Sequence, residues 1–172
     1  MPASGRARAR ERRTERRAHA DYTGAVYGSM LAASVVVGAS GLGEHPRLEL
    51  VLLLLLTSLV FWIGHVHAKL FGAHLAERRP DPSAVLRVCR EEWPIVEAAV
   101  PPALAVAVSP LLGLGVVGAG WLAVAVAVAG QVGWSAVGAR QAGAPARVVA
   151  GSAAVNALLG LAIISFKAVV SH

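Results

Sequence analysis

Charged, aromatic and sulfur-containing side chains are all scarce in this sequence. Of its 172 residues, 15% are charged and 5% are aromatic, and Cys89 is the single cysteine. Soluble domains carry about 25% charged residues, so this chain has too little charge to cover a water-facing surface. One cysteine cannot form an internal disulfide, which excludes a disulfide-stabilised scaffold. The hydrophobic content of 56% excludes a disordered chain, and a small polytopic membrane protein remains.

Positive charge is concentrated before the first apolar run. Seven arginines fall within the first 17 residues: Arg6, Arg8, Arg10, Arg12, Arg13, Arg16 and Arg17. No aromatic residue lies among them, so base stacking has no platform and we expect no nucleic-acid partner. We expect residues 1–21 to form a basic cytoplasmic arm that is attracted to the anionic lipid headgroups of the bilayer.

The apolar runs predict an all-α bundle of about five transmembrane helices. A span needs roughly 20 apolar residues to cross the hydrocarbon core. The predicted spans are 22–42, 48–71, 95–112, 117–137 and 147–170, so residues 22–172 form one transmembrane helical domain. Residues 72–92 are hydrophilic, and Ser83 can cap a helix there that lies at the membrane surface. The weaker Ala/Val/Gly-rich spans leave four or six helices as alternatives.

The distribution of lysine and arginine predicts the orientation of the chain. Cytoplasmic segments of membrane proteins hold the excess of these residues. With five spans and the N-terminus inside, only Arg47 and Lys167 of the 16 basic residues lie on the outer side. We therefore expect an N-in, C-out multi-pass protein in a bacterial cell membrane.

Three prolines interrupt the third predicted span: Pro101, Pro102 and Pro110. Each proline removes a backbone donor and crowds the preceding turn. In lipid the freed carbonyl groups need other partners. We expect this helix to be kinked or broken, and to be packed inside the protein rather than against lipid.

Polar side chains inside the predicted spans are the candidates for sensing ions or protons. They are His65, His67, Glu97, Lys167 and Asn156. Such side chains are costly in lipid and usually face a bundle interior or a water-filled cavity. His65 and Glu97 lie at similar depths from the cytoplasmic ends of their spans, so they could form a pair; the alternative is that each lies near the headgroups and contacts water. Histidine changes charge between about pH 5 and 8, so such a pair would respond to pH.

No pattern in the sequence predicts a metal site, a cofactor or an enzyme active site. His65 and His67 are two residues apart, which places them about 200° apart around a helix, on nearly opposite faces. No cluster of cysteine or carboxylate residues accompanies them, as a zinc site would need. The sequence also lacks a nucleotide-binding loop and a serine–histidine–aspartate set, so we expect no enzyme and no cofactor.

Small residues recur at helical spacing in the first and fifth predicted spans. The positions are Gly24 and Gly28 in the first span, and Ser152, Asn156 and Gly160 in the fifth. Small residues let helices approach closely in lipid, so we expect these stripes to be packing faces. We expect Val36, away from the stripe, to face lipid. Faces of this kind are also compatible with a homo-oligomer.

Aromatic and histidine residues at the ends of the first two predicted spans form a recognisable pattern. They are Arg17, the run Tyr22–Gly28, Phe61, Trp62, His65, His67, Leu70 and Phe71. In this pattern the two spans resemble the endolysosomal potassium channel family and its bacterial relatives, which implies ion permeation. Gly24 stands where that family has aspartate, and no pore residue is carried over. In composition, the chain is also similar to uncharacterised small integral membrane proteins of actinobacteria.

Two functions fit these features. The first is a small ion channel or transporter-like protein in which His65 and Glu97 form a pH-sensitive pair. The alternative is a non-transporting structural or assembly partner whose Gly/Ala faces bind another membrane protein. A hydrated path through the bundle would favour the first function, and a dry core would favour the second.

Overall fold

The computed structural model describes residues 22–39, 42–75 and 82–170, and every regular element within these ranges is helical. The basic arm expected over residues 1–21 lies outside the described residues. The α-helices are α1 (Tyr22–Gly38), α2 (Pro46–Leu75), α3 (Pro82–Glu92), α4 (Pro94–Glu97), α5 (Val100–Val108), α6 (Val116–Gln141) and α7 (Ala146–Val170), and a 3₁₀ helix covers Ser109–Leu112.

Four helical segments within the described residues are long and apolar enough to cross a membrane: Pro46–Gly72, Pro82–Leu112, Val116–Gln141 and Ala146–Val169. α1 is a shorter apolar helix of 17 residues, about 26 Å long at 1.5 Å per residue. The chain is therefore an all-α protein with the helical content of a multi-pass membrane protein.

Consecutive long segments run in opposite directions. Tyr27 of α1 lies beside His65 of α2, with ring centroids 5.0 Å apart, so the start of α1 meets the end of α2. Arg47 near the start of α2 bonds to Ser109 after α5. One end of the bundle therefore holds the start of α1 and α7 and the end of α2 and α6. We call it the basic end, because it carries Lys69, Arg87, Arg90, Arg140 and Arg147.

α1 occupies the centre of the bundle because its residues are small. A Cβ atom added at Gly28 would lie 2.6 Å from the carbonyl oxygen of Ile95 and 2.9 Å from the Cβ of Ala98. On another side of the helix, a Cβ atom added at Gly130 of α6 would lie 3.3 Å from Ser29 Oγ. α1 is therefore in close contact with both α4 and α6.

The prediction that Val36 faces lipid is wrong. Val36 is 2% exposed and belongs to the apolar core, together with Leu54, Val106 and Val124. A Cβ atom added at Gly120 of α6 would lie 3.9 Å from Val36, so α6 covers the side of α1 that the glycine stripe leaves open. The open side of α1 is instead the face that carries Thr23, Ser34 and Gly38, which are exposed.

The proline-containing segment is broken at two places. α4 ends at Glu97, and the amide of Ala99 bonds to the carbonyl of Val96, three residues earlier. Pro101 and Pro102 follow within the first turn of α5, where missing amide protons are tolerated. Pro110 is the second residue of the 3₁₀ turn. This segment has 44% of its most apolar stretch buried, against 11% in α7, but Val100, Leu104 and Leu111 are 41–86% exposed. The prediction that it packs inside the protein rather than against lipid is therefore wrong for this face of the helix.

The end of the bundle opposite the basic end is closed by Arg47. Its Nη2 donates to the carbonyl of Leu114 at 2.6 Å, and its Nε donates to Ser109 Oγ at 3.3 Å. Gly113 ends the 3₁₀ helix with a φ of 69°, a left-handed conformation that suits glycine. The guanidinium thus ties the start of α2 to the connection between α5 and α6.

Candidate functional site

Three cavities lie side by side at the basic end, around the first half of α1. Their volumes are about 410, 390 and 460 Å³. The first two share Tyr22 and Trp134 in their linings, and the first and third share Thr23 and Tyr27. We refer to the three together as the vestibule, and name them the amide, glutamate and histidine cavities for the side chains described below.

The histidine cavity contains an ion pair. Its lining residues are Thr23, Gly24, Tyr27, His65, Lys69, Glu92 and Ile95. The Glu92 carboxylate is 8% exposed and pairs with the ammonium of Lys69, which is half exposed. A buried carboxylate needs such a partner, because desolvation would otherwise destabilise its charge. His65 Nδ1 lies 3.1 Å from the carbonyl oxygen of Phe61 and donates a hydrogen bond to it in the tautomer that carries the proton on Nδ1.

Glu97 lies in a different cavity from His65. The glutamate cavity is lined by Tyr22, Ala25, Arg90, Trp93, Pro94, Glu97, Ala98, Pro101 and Trp134. The carboxylate that shares a cavity with His65 is instead Glu92. The similar depth of His65 and Glu97 in their spans suggested that they pair, but the structure does not bring them together. The two side chains face different sides of α1.

The amide cavity has aromatic walls and an uncharged polar floor. It is lined by Tyr22, Thr23, Val26, Tyr27, Met30, Trp134, Ser135, Gly138, Ala139, Ala142, Ser152 and Asn156. The rings of Tyr22 and Trp134 are 6.0 Å apart and tilted by 41°. Asn156 Nδ2 donates to the carbonyl of Ser152 at 3.0 Å, which fixes the orientation of the Asn156 amide.

Gln131 lies next to Asn156 and is fully buried, at 0% exposure. Its Nε2 donates to Asn156 Oδ1 at 3.1 Å. Its Oε1 is buried and has no hydrogen-bond donor among the described residues. Sequence analysis missed Gln131, although an amide in the middle of an apolar helix is itself a signal of a polar site.

Two tryptophans hold α3 against α2. Trp62 Nε1 donates to the carbonyl of Cys89 at 2.9 Å. Trp62 also meets Trp93 edge to face, with ring centroids 5.4 Å apart. These contacts and the Lys69–Glu92 ion pair position the α3–α4 connection at the mouth of the histidine cavity.

The remaining candidate residues lie outside the vestibule or contribute to packing. His67 is exposed and stacks on Phe71, with ring centroids 6.3 Å apart. Lys167 lies towards the opposite end, with Nζ 5.5 Å from the ring centroid of Trp121. A Cβ atom added at Gly24 would make ordinary contact with Pro94, 3.4 Å away. One added at Gly160 would overlap Val128 of α6.

Apolar packing separates the vestibule from the opposite end. Beyond Met30, the interior is filled by a cluster that includes Ala32, Ala33, Val36, Leu50, Leu54, Ala99, Ala103, Val106, Ala123, Val124 and Ala127. Several of these side chains are completely buried. The vestibule therefore ends on close-packed aliphatic side chains, and Arg47 lies beyond them.

No protein-family model matches the chain, and no curated protein or solved structure is significantly similar to it.

Proposed function

We propose that the chain is a five-span membrane protein, N-in and C-out, in a bacterial cytoplasmic membrane. The alternating directions of α1, α2, the α4–α5 segment, α6 and α7 support five crossings. Lys69, Arg87, Arg90, Arg140 and Arg147 cluster at one end of the bundle, and cytoplasmic ends hold such clusters. α1 is short for a span, but its 17 residues reach about 26 Å, close to the roughly 30 Å of the hydrocarbon core.

We further propose that the protein is transporter-like and binds its substrate from the cytoplasmic side. The observation that carries this proposal is the asymmetry of the interior. Among the described residues, cavities of about 390–460 Å³ occupy the basic end, whereas aliphatic packing and the Arg47 contacts fill the other end. This arrangement favours an inward-open conformation over a pore that passes straight through one protomer.

The vestibule has the polar groups that a transport site needs. Buried Glu92, its partner Lys69, and His65 line one cavity, and Asn156 and Ser152 line another. Polar side chains at membrane depth usually mark a substrate or ion pathway. The broken α4–α5 segment lies beside the glutamate cavity through Pro101, and interrupted helices commonly border transport sites.

Counterflow in proteoliposomes tests this function. Vesicles are loaded with an unlabelled solute at high concentration and then diluted into the labelled form, using rubidium as a potassium analogue and a set of small organic solutes. A transporter exchanges the two forms and accumulates the label transiently. A channel lets the label equilibrate without accumulation, which would contradict the transporter-like mechanism.

The assembly-partner function is the competing proposal. α7 leaves much of its apolar surface uncovered, including Val155, Leu158 and Leu161 at 57–66% exposure. Such a face contacts either lipid or another membrane protein. Absence of flux for every solute tested, together with a stable hetero-complex isolated from native membranes, would favour this second function.

A further inference from the structure

We infer that the amide cavity binds a hydrophobic organic cation. This inference rests on the transporter-like function proposed above and names the chemical class of its substrate. Three aromatic residues, Tyr22, Tyr27 and Trp134, line the cavity. The faces of aromatic rings carry negative electrostatic potential and attract cations, and cages of several rings are a known way to bind quaternary ammonium groups.

The preference for a cation comes from the lining of the cavity, because the basic side chains at the same end of the bundle, such as Arg140 and Arg147, are not part of that lining. This lining contains no charged side chain among the described residues, so an anion would find no positive partner there. Below the floor, Gln131 Nε2 donates to Asn156 Oδ1, so this oxygen is already paired and the aromatic rings carry the preference for a cation.

The walls favour an organic cation over a metal ion. Hard cations such as calcium take six or more oxygen ligands, whereas the side chains of Val26, Met30, Ala139 and Ala142 supply none. Apolar walls instead suit alkyl or aryl substituents around a positive centre. The volume of about 410 Å³ lies in the range of small-molecule sites, about 300–1,000 Å³.

The neighbouring glutamate cavity does not change this assignment. Glu97 lies beyond Tyr22 and Trp134, but Arg90 lines the same cavity. These two side chains carry opposite charges, so the lining of the glutamate cavity has no net charge. Selectivity for a cation must therefore come from the three rings of the amide cavity.

Two ions of almost the same shape and opposite charge test the inference. Tetraphenylphosphonium and tetraphenylborate are titrated into the full-length protein in a non-ionic detergent, and binding is measured by isothermal titration calorimetry. We expect tetraphenylphosphonium to bind at least about tenfold more tightly than tetraphenylborate. Equal affinities, or equal affinity for neutral triphenylphosphine oxide, would overturn the assignment of a cation site.

Variants of two tryptophans on the same helix locate the site. Trp134→Leu removes a ring from the cavity, so the Kd for tetraphenylphosphonium should rise about tenfold, the effect of losing one strong cation–π contact. Trp134→Phe keeps a ring and should raise the Kd less. Trp121→Leu is the matched control, because Trp121 lies under Lys167 and does not line the cavity.

The outcomes separate this inference from the proposed function. If Trp121→Leu weakens binding as much as Trp134→Leu, the cation does not occupy the amide cavity. If Trp134→Leu does not fold, the comparison of the two ions on the unmodified protein still decides the matter. Tight binding of tetraphenylphosphonium without counterflow would support the cation site and contradict the transporter-like function. Counterflow of another solute without cation binding would support the transporter-like function and contradict the cation site.

Discussion

Arg47 links two parts of the chain that are 62 residues apart in sequence. Its guanidinium reaches Leu114 and Ser109, and Ser109 Oγ in turn donates to the carbonyl of Val106 at 2.7 Å. Ser109 is completely buried. A hydrogen bond from a charged donor to a backbone carbonyl contributes more to stability than a hydrogen bond between neutral groups does.

We expect Arg47→Met to lower the free energy of unfolding by about 2 kcal/mol, the range for a hydrogen bond to a charged group. The methionine fills similar space but leaves the Leu114 carbonyl without its donor. Thermal unfolding in detergent measures the effect. Arg87→Met is the control, because Arg87 is half exposed and reaches Glu91 only at 3.9 Å, a surface pair of small value. Equal losses in both variants would contradict the role of Arg47.

His65 and His67 provide a matched pair for testing the histidine cavity. His65 lines that cavity with Lys69 and Glu92 and lies beside Tyr27. His67 is exposed and outside the vestibule. If the vestibule carries flux, we expect His65→Ala to change the initial rate of counterflow, because the imidazole is part of the cavity wall. His67→Ala should leave the rate intact, and a similar change in both variants would exclude a role of the histidine cavity in transport.

At the scale of the helices, close contacts between α6 and α7 depend on Gly160. We expect Gly160→Leu to separate the two helices and to destabilise the protein by about 1–3 kcal/mol, as overpacking does. Gly151→Leu on the same helix is the control, since a Cβ atom there meets nothing within 4 Å. The melting temperatures of the two variants in detergent measure the difference. No difference between them would show that α7 does not pack through this face.

Hydropathy predicts the helices well but does not predict which way they face. The apolar runs and the three prolines were sufficient to predict an all-α protein with an interrupted third segment. The position of Val36 was not predictable, because in lipid both the buried and the exposed faces of a helix are apolar. The same limit applies to His65: its depth could be read from the sequence, whereas its proximity to Glu92 rather than Glu97 depends on how each helix is rotated.

For the molecule as a whole, the orientation in the membrane is directly testable. We expect a reporter fused after His172 to lie outside the cell, and one inserted between residues 77 and 83 to lie inside. The excess of arginine and lysine at the basic end is the physical reason. Paired alkaline phosphatase and green fluorescent protein fusions report the two sides. If both positions report the same side, the five-span arrangement is wrong.

The bond between Gln131 and Asn156 also constrains how the protein is made. α6 leaves the ribosome before α7, so Gln131 reaches the membrane before its partner has been synthesised. An amide without a partner is costly in hydrocarbon, and α7 is the helix that covers it. We therefore expect α6 and α7 to enter the bilayer together as a hairpin. A chain that stops between residues 142 and 155 should be shorter-lived in membranes than the full chain, which pulse-chase labelling measures.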